Sequence, residues 1–166
     1  MVRPSSLLAS LSNGHSTAAA ALASPAAMFQ PLYTAVATAH GGREGRVQTD
    51  DGQVSHSLAM PTSLGGKGGP GTNPEQLFAA GYSACFESAL RLVARMQRKP
   101  LKDAAITARV TIGKTDDGGF GLAVELHGKI DGVSHEEAQA LMEAAHQVCP
   151  YSRATRGNIE VKLVAD

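Results

Sequence analysis

The sequence predicts an α+β domain in which antiparallel sheet covers central helices. Short alternating stretches bounded by turn residues, one long apolar helical pattern in the middle, and a second capped helix before a last alternating stretch carry that prediction. The order is strands, helix, strands, helix, strand. Alternation from Leu32 through Tyr33, Ala35, Val36 and Ala37 runs into His40-Gly41-Gly42-Arg43-Glu44-Gly45-Arg46, a turn signal that predicts a hairpin. Val54 to Met60 alternates again. Pro61 to Gly71 then holds five glycines and two prolines, which reads as a mobile loop. Its run Gly65-Gly66-Lys67-Gly68-Gly69 lacks the spacing of a nucleotide-phosphate loop.

Thr72-Asn73-Pro74-Glu75-Gln76 is a helix start: Asn73 caps, Pro74 suits the first helical position, and Glu75 complements the positive end of the helix dipole. Leu77, Phe78, Gly81, Cys85, Leu92 and Met96 spread apolar character around most of this helix before its basic tail, which places it at the centre of the fold. Ile106 to Ile112 and Phe120 to Ile130 read as a second hairpin around Asp116-Asp117-Gly118-Gly119. Ser134 to Glu137 fits a capping box, opening a helix lined by Leu141, Met142, Ala145 and Val148 and stopped by Pro150. Ile159 to Val164 is the last strand.

With 166 residues the chain suits one domain, here residues 31–166, preceded by an Ala- and Ser-rich extension over residues 1–30 that lacks acidic residues and periodicity. The extension reads as disordered, as a mitochondrial or plastid address short of arginine, or as a segment ahead of an alternative start at Met28. Fifteen basic residues balance fifteen acidic ones, so no general field attracts nucleic acid or an anionic membrane. No apolar run approaches the roughly 20 residues of a membrane span. Aromatics are only 4% of the chain, a small core that favours help from a partner chain.

Two cysteines are too few for a secreted disulfide scaffold and fit a reducing, cytoplasmic setting, or a mitochondrial one should the extension be a transit peptide. Cys85 lies inside the apolar helix, where a free cysteine often acts only as a small hydrophobe. Cys149 ends a helix before a proline, where a thiol can be presented. His146 and Cys149 stand three apart, and Cys85 could join them at zinc, but a fourth ligand is hard to find. A redox pair is the other reading. A reactive thiol needs a nearby cation or a helix N-terminus, and Arg43, Arg46, Arg91, Arg153 and Arg156 are the cation candidates.

The stretches Gly41 to Gly45, Thr72 to Phe86 (TNPEQLFAAGYSACF), Gly119 to Leu126 (GFGLAVEL) and Val148 to Asn158 (VCPYSRATRGN) resemble the organic hydroperoxide resistance subfamily of the OsmC-like proteins. The resemblance spans about Leu32 to Val164. It implies the OsmC-like fold, with sheets from two chains wrapped around central helices in an intertwined homodimer. It also implies a cysteine peroxidase acting on organic hydroperoxides, with Cys85 as the peroxidatic thiol, Cys149 as the resolving thiol, Arg43 activating the thiolate and positioning the peroxide, and Glu75 orienting that arginine. Glu44 and Arg153 depart from the common pattern, where aspartate and asparagine are usual, and bear on fine specificity.

On that footing Cys85 attacks the distal peroxide oxygen, an alcohol leaves, and Cys149 captures the sulfenic acid as a disulfide. No metal, nucleotide or other cofactor is required. A dihydrolipoyl group, as on a lipoylated protein, is the external reductant that the resemblance implies. Phe78, Tyr82 and Phe86 are candidate pocket residues for long-chain or aryl hydroperoxides. Glu75 and Cys85 are ten residues apart, about 15 Å at ~1.5 Å per residue of helix, so a helix break or a partner chain must bring the two together. The reading from another class is a non-enzymatic OsmC-like binding module with packed cysteines.

Overall fold

The computed structural model describes residues 29–166. The extension read over residues 1–30 therefore lies outside the described residues except for Phe29 and Gln30. From Ala35 onward the chain holds two three-stranded sheets and three α-helices.

The first sheet is β1 (Ala37–His40), β2 (Arg46–Thr49) and β3 (Ser55–Ser57), antiparallel throughout. The β1–β2 connection is the glycine turn that the sequence predicts. Gly41 and Gly42 take left-handed φ values of 75° and 58°, and a side chain on Gly45 would collide with the His40 carbonyl. That turn folds Gly42–Glu44 into a short 3-10 helix and so fixes where Arg43 stands. The strands are shorter than the alternation suggested, and few of their residues are even half-buried. Residues 61–71 are less irregular than their composition predicts. Thr62–Leu64 forms a 3-10 turn, and Gly66 and Gly68 donate back to the carbonyls of Pro61 and Met60.

α1 (Pro74–Met96) starts as expected: the Asn73 side chain accepts from the Gln76 amide at 2.9 Å, with Pro74 at the first position. Its burial corrects the expectation of an all-round apolar helix. Tyr82, Phe86, Ala89, Leu90, Val93 and Ala94 form one buried stripe at helical spacing, while Leu92 and Met96 are 41% and 73% exposed.

β4 (Asp103–Lys114) and β5 (Phe120–Asp131) form a long antiparallel hairpin under α1, in register from Asp103 opposite Asp131 to Lys114 opposite Phe120. β4 overruns the predicted 106–112 at both ends, because pairing with β5 continues past the apolar alternation. Gly128 on β5 leaves room for Met142, whose sulfur would lie 2.5 Å from an added Cβ.

α2 (His135–Val148) opens with a complete capping box: the Ser134 hydroxyl accepts from the Glu137 amide and the Glu137 carboxylate from the Ser134 amide. Pro150 both stops α2 and starts a further helix, α3 (Pro150–Thr155), which the sequence reading did not anticipate. β6 (Val161–Ala165) then pairs with β5 in parallel, from Val124 opposite Val161 to Gly128 opposite Ala165. The sheet is therefore not wholly antiparallel. Helices between β5 and β6 carry the chain back across the sheet, and such a crossover delivers a parallel neighbour. No helix among the described residues is long and apolar enough to cross a membrane.

Candidate active site

The two cysteines, 64 residues apart in sequence, meet. The Cys149 sulfur lies 3.6 Å from that of Cys85, and both are free thiols. Cys85 comes from the middle of α1. Cys149 is wholly buried at the junction of α2 and α3, ending one helix and opening the next. Burial pushes the Cys85 thiol above its ordinary value. The Tyr151 backbone amide pulls the other way, and the Cys149 thiol adds to the rise. No cation is among the described groups that act on this sulfur.

Beside Cys85 runs an open groove of about 420 Å³, lined by Ser88, Ala89, Leu92, Val148 and Pro150. The candidate pocket residues Phe78, Tyr82 and Phe86 do not line it. Tyr82 and Phe86 are completely buried in the core stripe, and Phe78 stacks on Tyr151 with ring centroids 6.1 Å apart. Packing is the reason: the Tyr82 hydroxyl reaches Ser152 and Thr155 of α3, and its ring lies edge-on to Phe86, so both side chains are core while Cys85 borders the groove. Tyr151 lies over Gly81, whose absent side chain would come within 3.1 Å of the Tyr151 hydroxyl.

Arg43 and Glu75 form a second cluster. The guanidinium donates through both Nη atoms to the two carboxylate oxygens, at 2.8 and 2.6 Å, a fork that joins the β1–β2 turn to the first turn of α1. Glu75 is held below the usual carboxylate range, first by those bonds, with burial opposing, and Arg43 is raised by the same contact. Three of the other cation candidates are engaged elsewhere: Arg46 with Ser55 and Gln48, Arg91 with Glu87, and Arg156 with the His146 carbonyl, while Arg153 stands on α3 four residues after Cys149.

α1 is continuous from Pro74 to Met96, so no helix break brings Glu75 to Cys85. Within one chain the thiol pair and the Arg43–Glu75 pair stay about 15 Å apart along the axis, at ~1.5 Å per residue. For the zinc reading, no group of three His, Cys, Asp or Glu side chains suited to a metal occurs among the described residues. His146 has a buried Nδ1 without a hydrogen-bond partner there, and burial lowers its basicity, with nearby Arg156 adding to the effect.

The model of the OsmC-like protein family matches residues 65–164. The organic hydroperoxide resistance protein of Xanthomonas axonopodis pv. citri is 53% identical over 133 residues, covering 80% of this chain and 93% of that protein. This chain belongs to the OsmC-like family, among the organic hydroperoxide resistance proteins. OhrA of Bacillus subtilis is 51% identical over 138 residues, 82% of this chain and 97% of its own length. The crystal structure of an organic hydroperoxide resistance protein from Legionella pneumophila superposes with a TM-score of 0.78 at 55% identity, over 82% of this chain and 99% of that one. The α+β architecture described above is thus the OsmC-like fold, and the resemblance read from the four motifs stands.

Of the residues which that resemblance singled out, the fold pairs Cys85 with Cys149 and Arg43 with Glu75. Sequence reasoning missed the groove residues Ser88, Leu92 and Val148 and the short helix α3. A proline directly after Cys149 was the available signal for α3, since proline favours a first helical position as much as it ends a helix.

Proposed function

We propose that the protein is a thiol peroxidase for organic hydroperoxides, resident in a reducing compartment such as the cytoplasm and acting as a homodimer. The observation that carries this reading is the 3.6 Å contact between two reduced sulfurs in a member of the organic hydroperoxide resistance proteins. The Cys85 thiolate attacks the distal peroxide oxygen, the O–O bond breaks, and the alkoxide leaves as alcohol after taking a proton. Cys85 is then a sulfenic acid. The Cys149 sulfur attacks it, an S–S bond forms and water departs. An external dithiol, of which a dihydrolipoyl group on a protein is the proposed example, restores both thiols by exchange. The apolar groove beside Cys85 suits an alkyl or aryl hydroperoxide better than hydrogen peroxide.

The homodimer supplies what one chain lacks. Cys85 sits without a cation and above its ordinary pKa, whereas Arg43, oriented by Glu75, is too far along α1 to serve it. A second copy that brings its own Arg43 turn to this sulfur gives the thiolate a charge and the peroxide a fork of donors. The thinly covered β1–β3 sheet and the exposed Leu92, Met96 and Val148 are the surfaces such a partner would bury. A packed cysteine with a raised pKa also fits the binding-module reading.

Thiol titration with mass spectrometry separates the two. One equivalent of an aryl hydroperoxide is expected to remove both thiols of the wild-type chain as a Cys85–Cys149 disulfide, and to leave Cys149 free in Cys85→Ser. Two thiols that survive the peroxide would refute the peroxidase reading and favour the binding module.

A further inference from the structure

Resting on the thiol-peroxidase reading, we infer that Tyr82, Ser152 and Thr155 are positioning residues for the resolving thiol: their hydroxyls clamp α3 to α1 and so set how often oxidised Cys85 is captured before it is over-oxidised. The three hydroxyls meet in the core. Tyr82 Oη lies 2.9 Å from Ser152 Oγ and 3.2 Å from Thr155 Oγ1, and Thr155 also donates to the Ser152 carbonyl. Tyr82 and Ser152 are wholly buried and Thr155 nearly so. A phenylalanine would fill the same space without needing partners, so hydroxyls kept at this depth point to a geometric task.

The task is visible in where α3 begins. A six-residue helix is too short to hold its own position, and Cys149 stands at its head. Tyr82 precedes Cys85 by three residues on α1. One clamp therefore ties the element that carries the attacked sulfur to the element that carries the attacking one. The Phe78–Tyr151 stack braces the same helix from its other end.

Two reactions compete for the Cys85 sulfenic acid. Attack by the Cys149 thiol forms the S–S bond and releases water. Attack on a second hydroperoxide inserts one more oxygen, giving the sulfinic acid and another alcohol, and leaves Cys149 reduced. The first is intramolecular and falls steeply with misplacement of Cys149, whereas the second grows only with peroxide concentration. Loosening α3 shifts the split towards sulfinic acid.

The test is mass spectrometry of Tyr82→Phe, Thr155→Val and Thr155→Ser in the full chain, over a series of organic hydroperoxide concentrations and well below each unfolding midpoint. The quantity read is sulfinic acid relative to disulfide per oxidised Cys85, which does not depend on the speed of the first step. Tyr82→Phe and Thr155→Val should reach an equal split at a peroxide concentration lower by roughly tenfold or more, while Thr155→Ser, which keeps the hydroxyl, should follow the wild type. A wild-type split in Tyr82→Phe, even with a lowered Tm, would overturn the clamp and leave the hydroxyls merely structural. A wild-type protein whose Cys85 does not oxidise at all would instead remove the peroxidase reading, and this inference with it.

Discussion

Glu75 shows how one carboxylate can be tied into both stability and orientation. Its two oxygens each accept from a different Nη of Arg43, so the pair fixes the plane of the guanidinium as well as its position. Because its pKa is depressed in the folded protein, the stabilisation is fully present above the unfolded value of about 4.3 and is lost as pH falls through the lower folded value. Glu75→Gln should therefore cost on the order of 1 kcal/mol at pH 7, the range of a partly exposed pair with good geometry. That deficit relative to wild type should shrink as the pH drops below about 4. Denaturant titrations of both proteins at pH 7 and pH 3.5 check this, and a deficit that does not change with pH would mean that the carboxylate charge is not what matters. Cys85 behaves oppositely. Burial raises its pKa within one chain, so any charge that makes it a thiolate must come from beyond the surroundings described for this sulfur.

Helices α1 and α2 owe their starts to local chemistry and their positions to the sheet. The Asn73 cap, Pro74 and the Ser134–Glu137 box are all legible in sequence, because each depends on residues within four positions of one another. The short helix α3, the parallel entry of β6 and the core placement of Tyr82 and Phe86 were not legible. Six residues carry too little periodicity, strand direction depends on a crossover, and which neighbours of Cys85 become core depends on what packs against α1, α3 in the case of Tyr82. The contact of Cys85 with Cys149 was accessible only through the resemblance of the surrounding motifs, since nothing in a separation of 64 residues fixes it. Gly128 is another position whose role becomes visible only in the fold. An added methyl there would press on the wholly buried Met142, and Gly128→Ala should destabilise the protein by about 1–3 kcal/mol, as overpacking of cores does. Thermal unfolding followed by circular dichroism would register this as a fall in Tm. An unchanged Tm would show that the α2–β5 seam has slack.

At the scale of the whole molecule, an unbroken α1 keeps the Arg43–Glu75 pair away from Cys85 of the same chain. The proposed site is then made of halves contributed by two chains, and damage to the halves can be sorted between them. Arg43→Ala alone and Cys85→Ser alone should each be inactive. Mixed and allowed to exchange subunits, they form some dimers in which one site has lost both groups while the other has recovered an intact Cys85 and an intact Arg43. Peroxidase activity should then return, up to about half the wild-type turnover per mixed dimer, since one of its two sites is whole. If mixing restores nothing although subunits have demonstrably exchanged, each chain must serve itself, and α1 must bend or the Arg43 turn must swing to reach Cys85. Where mixing does restore activity, inheritance of the two lesions would follow the rules of genetic complementation: two defective alleles of one gene, each useless alone, together give a working enzyme.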